Sequence, residues 1–184
     1  MAVKIKVLYE DSNVLAIDKP SGISVHGDGR SSENTVADWV LKNYPRMKNV
    51  GESEVYENKN VKKEIPKPGI VHRLDKETSG VMLLAKNNKS YESLKSQFQD
   101  RAIRKVYHVI VSGSVRNDRG IINKPIGRSP RDFRRYLSGR GARGELREAI
   151  TEYRVLKRVK DLTYIEARPK TGRTHQIRVH MKYI

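Results

Sequence analysis

The sequence predicts an α+β fold around a mixed or antiparallel sheet. Three observations carry this. Most apolar residues fall in short, β-branched runs bounded by turn residues. Only three segments space their apolar residues as a helix does. No period of about 20–50 residues repeats, which argues against a solenoid.

The elements follow in order. Lys4–Tyr9 and Val14–Asp18 flank the turn-like Glu10-Asp11-Ser12-Asn13 and read as a hairpin, which Lys19-Pro20-Ser21-Gly22 ends. Ser24–Asn34 is rich in Gly, Ser, Asp and charge and reads as a loop. Thr35–Tyr44 sets Val36, Trp39, Val40 and Leu41 near helical spacing, with Asn34 or Thr35 as its cap. Pro45–Pro68 is polar and irregular, holds four lysines among Asn58–Lys67, and reads as a surface excursion or a linker between elements. Gly69–Leu74 and Val81–Lys86 read as strands around the polar Asp75–Gly80. Lys89–Gln99 reads as a helix with Tyr91, Leu94, Lys95 and Phe98 on one face. Lys105–Val111 alternates and reads as a strand, with Lys105, Tyr107 and Val109 on one face and Val106, His108 and Ile110 on the other. Arg116–Gly120 makes a turn. Arg128–Glu148 is a basic tract with few apolar anchors. Ile150–Val159 and Leu162–Arg168 read as strands joined at Lys160-Asp161, and Thr174–Tyr183 as a helix after the break at Thr171-Gly172. No composition shift marks a boundary, so a single domain over 1–184 is expected.

Composition narrows the function. Among 184 residues, 38 are Lys or Arg and 21 are Asp or Glu, a net charge of +17. That excess calls for a polyanionic partner, and nucleic acid is the common one. A membrane surface would want a basic amphipathic helix, and none stands out. There is no cysteine, so disulfides, thiolate zinc sites and a Cys nucleophile are excluded. The longest apolar run, Val81–Ala85, is far too short to span a bilayer. The first ten residues hold no secretory apolar segment. A cytoplasmic location is expected.

Four segments carry side chains suited to chemistry. Val71-His72-Arg73-Leu74-Asp75-Lys76-Glu77-Thr78-Ser79-Gly80 crowds charges and hydroxyls between two apolar runs. A carboxylate flanked by Arg73 and Lys76 stays ionised, as a nucleophile or general base must. A solvated Asp turn explains the same residues equally well. His72-Arg73-Leu74-Asp75 is not the kinase loop, whose order lacks the Leu and whose companion motifs are missing. Gly139-Arg140-Gly141-Ala142-Arg143-Gly144 spells G-x-G-x-x-G, but no strand precedes it and it lies in an Arg-rich tract, so a flexible basic loop is the better reading. Lys170–His180 places Gly172-Arg173-Thr174 at a helix start, where an anion would sit, against the plain reading of a basic helix facing solvent. His175 and His180 are five apart without the Glu of H-E-x-x-H, which argues against zinc. In Arg104–Val111, Tyr107 either offers its ring to a base or is an ordinary rim tyrosine.

Taken together, these segments resemble the RluA/RluD-type RNA pseudouridine synthase family. Asp11–Gly22 is similar to the family's opening segment, Pro68–Gly80 to its catalytic motif, Lys105-Val106-Tyr107 to its tyrosine motif and Gly172–Arg178 to its arginine motif. All four occur in the family's order and span most of the chain. The resemblance implies a catalytic domain with a mixed, mostly antiparallel sheet and a basic cleft. By position it implies Asp75 as the catalytic aspartate, Tyr107 as the residue that packs on the uracil and takes part in proton removal, and Arg178 as the arginine that pairs with the aspartate. Arg73 matches a residue that fills the space left by a flipped nucleotide. His72, Lys76, Arg131, Arg134, Arg135, Arg140 and Arg173 are the further RNA-binding candidates, chosen for charge and placement. The family continues past the arginine motif, whereas this chain ends at Ile184, so a domain incomplete at its C-terminal end is expected. About ten residues precede the opening segment, too few for the S4 module of some relatives.

The implied reaction needs no redox change, so no cofactor and no metal are expected. RNA, ribosomal or transfer, is the expected partner. No DNA, no membrane and a monomeric state are expected as well. A non-catalytic RNA-binding protein and a metal-dependent nuclease using Asp75, Glu77 and His72 remain as alternatives. Loss of effect of Asp75→Asn would favour the first, and sensitivity to chelator the second.

Overall fold

The structure, a computed structural model, describes residues 4–27, 34–58, 61–132, 136–138 and 142–184. The chain divides into two units, Met1–Ala102 and Ile103–Ile184.

In the first unit, β1 (Lys6–Glu10) and β2 (Val14–Lys19) form the expected hairpin. The turn closes because the Asp11 Oδ1 accepts the N–H groups of Asn13 and Val14, both at 2.7 Å. α1 (Val36–Asn43) is capped by Thr35, one of the two expected caps. The Thr35 N–H donates to Asp38 Oδ2 at 2.9 Å while the Asp38 N–H donates to Thr35 Oγ1 at 3.2 Å. α2 (Asn88–Gln99) is capped by Asn87 and buries Tyr91. β5 (Gly80–Ala85) lies against β2, giving the antiparallel order β1-β2-β5. Leu15, Ile17, Val36, Val40, Met82 and Leu84 are fully buried and make this unit's core.

Two segments differ from the expectation. Pro45–Pro68 is not irregular: it holds a 3-10 turn at Pro45–Met47 and a hairpin of β3 (Glu54–Asn58) and β4 (Val61–Ile65). Ile65 is buried but Val55 is exposed, so the hairpin leaves no apolar alternation to read. Gly69–Leu74 is buried at Ile70 and Leu74 yet is not a strand, pairing once, at Ile70 with Leu84. Gly69, at φ +66°, turns the chain there and seats its carbonyl on the Ala85 N–H.

In the second unit, β6 (Tyr107–Ser112), β7 (Arg119–Asn123), β11 (Ile150–Val159) and β12 (Leu162–Pro169) form an antiparallel sheet in the order β6-β12-β11-β7. Val115, Ile122, Tyr153 and Ile165 cluster with Met181 of α3 (Gln176–Tyr183). The basic tract, expected as a loop, contributes to a second sheet of β8 (Ile126–Arg128), β9 (Tyr136–Ser138) and β10 (Arg143–Arg147), in the order β10-β8-β9. Ile126 is its buried apolar anchor, and backbone pairing supplies the rest. Every strand pairing among the described residues is antiparallel.

Candidate active-site segments

In the first unit the segment from His72 to Glu77 is mounted by its backbone. The Lys76 carbonyl accepts both the Lys19 ammonium, at 3.0 Å, and the Gly22 N–H, at 2.9 Å. Ser21 Oγ donates to the Glu77 carbonyl at 2.9 Å. The Thr78 N–H donates to the Asp75 carbonyl at 3.0 Å, closing the turn. Upstream, His72 Nε2 accepts the Leu83 N–H at 3.0 Å, and its ring stacks on Phe98 with centroids 4.4 Å apart. Leu74 is buried beneath, while Asp75 is half-buried and Arg73 and Lys76 are exposed. Arg73 and Lys76 also reach a cleft of ≈ 530 Å³ lined by His26 and Tyr56 among others. Burial pushes the His26 pKa down, and Lys67 and Arg73 add to the fall.

Lys19 is the residue that sequence reasoning missed. It is fully buried, and its ammonium also donates to the carbonyls of Pro20 at 2.9 Å and Ile23 at 2.8 Å. Burial lowers its pKa, and the carboxylates of Glu77 and Asp75 act against that. In β2, Asp18 is exposed between the buried Ile17 and Lys19, which puts Lys19 on the inward face.

In the second unit Tyr107 opens β6 opposite Ala167. It shares the half-buried face with Val109 and Val111, whereas His108 and Ile110 are exposed, as the alternation predicts. Lys105 Nζ donates to the Thr171 carbonyl at 3.4 Å, tying the chain two residues before this strand to the turn before α3. Arg173 Nε donates to the Glu148 carbonyl at 2.9 Å, and its N–H to Gln176 Oε1 at 3.0 Å. His175 is the N-cap of α3, in the left-handed region at φ +54°. Arg178 is exposed on α3, whereas Gln176 and His180 are buried.

The structure thus gathers His72, Arg73, Asp75 and Lys76 on one fixed loop, and places Tyr107, Arg173 and Arg178 in the second unit. Arg131 is exposed just after β8. Arg134, Arg135 and Arg140, with Gly139 and Gly141 of the G-x-G-x-x-G match, lie outside the described residues. Among the described residues no three His, Cys, Asp or Glu side chains are grouped to hold a metal ion. No helix among them is long and apolar enough to cross a membrane.

Comparison with known proteins bears on this geometry. A family model described as RNA pseudouridylate synthase matches residues 13–183. An uncharacterized RNA pseudouridine synthase of Aquifex aeolicus is 40% identical over 184 residues, covering 99% of this chain and 53% of the relative. The ribosomal large subunit pseudouridine synthase D of Borreliella burgdorferi is 38% identical over 183 residues, covering 99% of this chain and 52% of the relative. Among solved structures, human RNA pseudouridylate synthase domain containing 4 matches with a TM-score of 0.70 at 27% identity, covering 96% of this chain and 63% of that one. The chain spans about half the length of the curated relatives it matches.

Proposed function

The chain belongs to the RNA pseudouridylate synthase family, and from that membership we propose that the protein converts specific uridines in RNA to pseudouridine. The N1–C1′ bond breaks and leaves its electron pair on the uracil. The uracil turns, C5 bonds to C1′, the C5 proton departs and N1 takes up a proton. Atoms and electrons balance without a cofactor. Asp75 serves as nucleophile at C1′ or as base at the 2′ position. Tyr107 packs on the base and takes part in removing the C5 proton. Arg178 takes the role of the family's arginine partner to the aspartate, a task that uses its planar fork as well as its charge.

The observation that supports this most is the loop that carries Asp75. Its backbone is held at Lys76 and Glu77 from the Lys19–Gly22 segment, while the carboxylate-bearing residue stays half-buried. A reacting carboxylate needs such a mount to hold its geometry. A stacked uridine must be flipped out at a cost of a few kcal/mol, of which stacking on Tyr107 returns about 1–3 kcal/mol. Arg73 fills the vacated space. His72, Lys76, Arg131, Arg134, Arg135, Arg140, Arg173 and the lysines of 59–67 contribute charge toward phosphates, which hold the RNA without reading its sequence.

Ribosomal large-subunit RNA is the substrate class favoured over transfer RNA, because relatives at 36–38% identity carry that substrate in their names. The two units serve as parts of one catalytic domain, working in the cytoplasm as a monomer. The test incubates the protein with RNA from a strain lacking its gene and maps pseudouridine by carbodiimide derivatisation. New sites with the wild-type protein that vanish with Asp75→Asn are expected. A folded wild-type protein that binds RNA and makes no site overturns the synthase reading.

A further inference from the structure

The inward face of α3 carries a hydrogen-bond chain that runs in one direction only. His180 Nε2 lies 3.0 Å from the Lys124 carbonyl, which can only accept, so this nitrogen holds the proton. Nδ1 is then bare and accepts the Thr151 hydroxyl at 2.8 Å. Thr151 Oγ1 in turn accepts from Gln176 Nε2 at 2.9 Å, and the second hydrogen of that amide goes to the Ile150 carbonyl at 3.0 Å. Gln176 Oε1 accepts the Thr171 hydroxyl at 2.6 Å, and Thr171 Oγ1 accepts the Ile150 N–H at 3.0 Å. Thr151, Thr171, Gln176 and His180 are all buried.

Reversing the tautomer or the amide leaves a buried acceptor facing a carbonyl, so the chain fixes the amide flip, the tautomer and both hydroxyl rotors together. It therefore fixes the rotation and height of α3 over β11. Arg178 stands two residues from Gln176 and two from His180, about 200° round the helix from each. A rigid inner face thus fixes where the Arg178 side chain leaves the helix.

We infer that Thr151, Gln176 and His180 are positioning residues for Arg178, an inference that rests on the reading of Arg178 as catalytic. Thr151 is the joint, since its single hydroxyl serves both other members. Thr151→Val keeps the β-branched shape and deletes that hydroxyl, and Thr151→Ser keeps it.

Amide exchange and steady-state kinetics on the same variants form the test. Thr151→Val is expected to speed exchange along Gln176–Tyr183 and to lower kcat about 100-fold with little change in KM, the scale of a misplaced catalytic group. Thr151→Ser returns both to near the wild-type values. In an Arg178→Lys background Thr151→Val costs less than about 3-fold more in kcat, because the group being positioned is already gone. Unchanged exchange in Thr151→Val overturns the clamp. Faster exchange with unchanged kcat, or losses that multiply fully with Arg178→Lys, overturns the positioning role and leaves a structural one. No conversion by the wild-type protein is a different failure, that of the synthase reading itself.

Discussion

Replacing Lys19 with methionine tests how the Asp75 loop is held. Methionine keeps the unbranched stem and removes the ammonium from a site with no exposure to solvent. Three carbonyls lose a donor, but not equally. Lys76 O keeps the Gly22 N–H at 2.9 Å, whereas Pro20 O and Ile23 O lose the ammonium bonds of 2.9 and 2.8 Å. A stranded buried carbonyl costs about 1–3 kcal/mol. Pro20 and Ile23 are only half-buried, so water recovers part of that, and relief of the buried cation recovers more. A net loss of about 2–4 kcal/mol follows. With a urea slope of about 2 kcal/mol per molar, the midpoint falls by about 1–2 M. Trp39, the single tryptophan, sits on α1 in the same unit and reports the transition by its fluorescence. Pseudouridine formation at low urea should fall as well, because the loop's Lys76 anchor is halved. A midpoint within about 0.3 M of wild type would show that the ammonium holds nothing, and the mounting argument would fail.

Other consequences are as direct. Burial depresses the pKa of His180 below its ordinary 6.5. Between the folded value and 6.5 the unfolded chain binds a proton that the folded chain does not, so stability rises with pH across that window. Acidification below 6.5 should therefore cost up to about 1.4 kcal/mol per pH unit, and His180→Gln should flatten the slope; equal slopes refute the assignment. Gly69→Ala places a Cβ 2.1 Å from the Ala85 carbonyl at φ +66°, whereas Gly22→Ala, at φ +85°, meets nothing within 4 Å. The first should lower Tm by about 5–15 °C and the second by much less, and similar losses would refute the steric account. Neutralising Arg131, Arg134, Arg135 and Arg140 together should weaken RNA binding and reduce its salt slope by about 3–4; an unchanged slope removes this tract from the RNA surface.

What the sequence makes legible follows from where side chains end up. The β11–β12 hairpin and β6 alternate between an inner and an outer face, and their alternation is readable. In the Glu54–Ile65 hairpin Ile65 is buried while Val55 is exposed, so these two apolar residues mark no single buried face. Gly69–Leu74 is apolar enough to pass for a strand, yet burial at Ile70 and Leu74 needs no ladder once Gly69 has turned the chain. The motif residues divide in the same way. Asp75, Arg73 and Arg178 are at least partly exposed, and their residue types announce charge chemistry. Lys19, in the opening segment, and Gln176 and His180, beside Arg178, point inward, where composition alone would never place them. Arg178 shares its segment with Gln176 and His180, whereas the Asp75 loop is held from a separate segment, at Lys19, 57 residues before Lys76. Lys19 holds the carbonyl next to Asp75, and Gln176 and His180 bracket Arg178 on the opposite face of one helix. A polar residue at an inward position is the mark of the mount. By that mark Lys19 is readable from Ile17 and Asp18 beside it, and His180 from its spacing of four from Gln176.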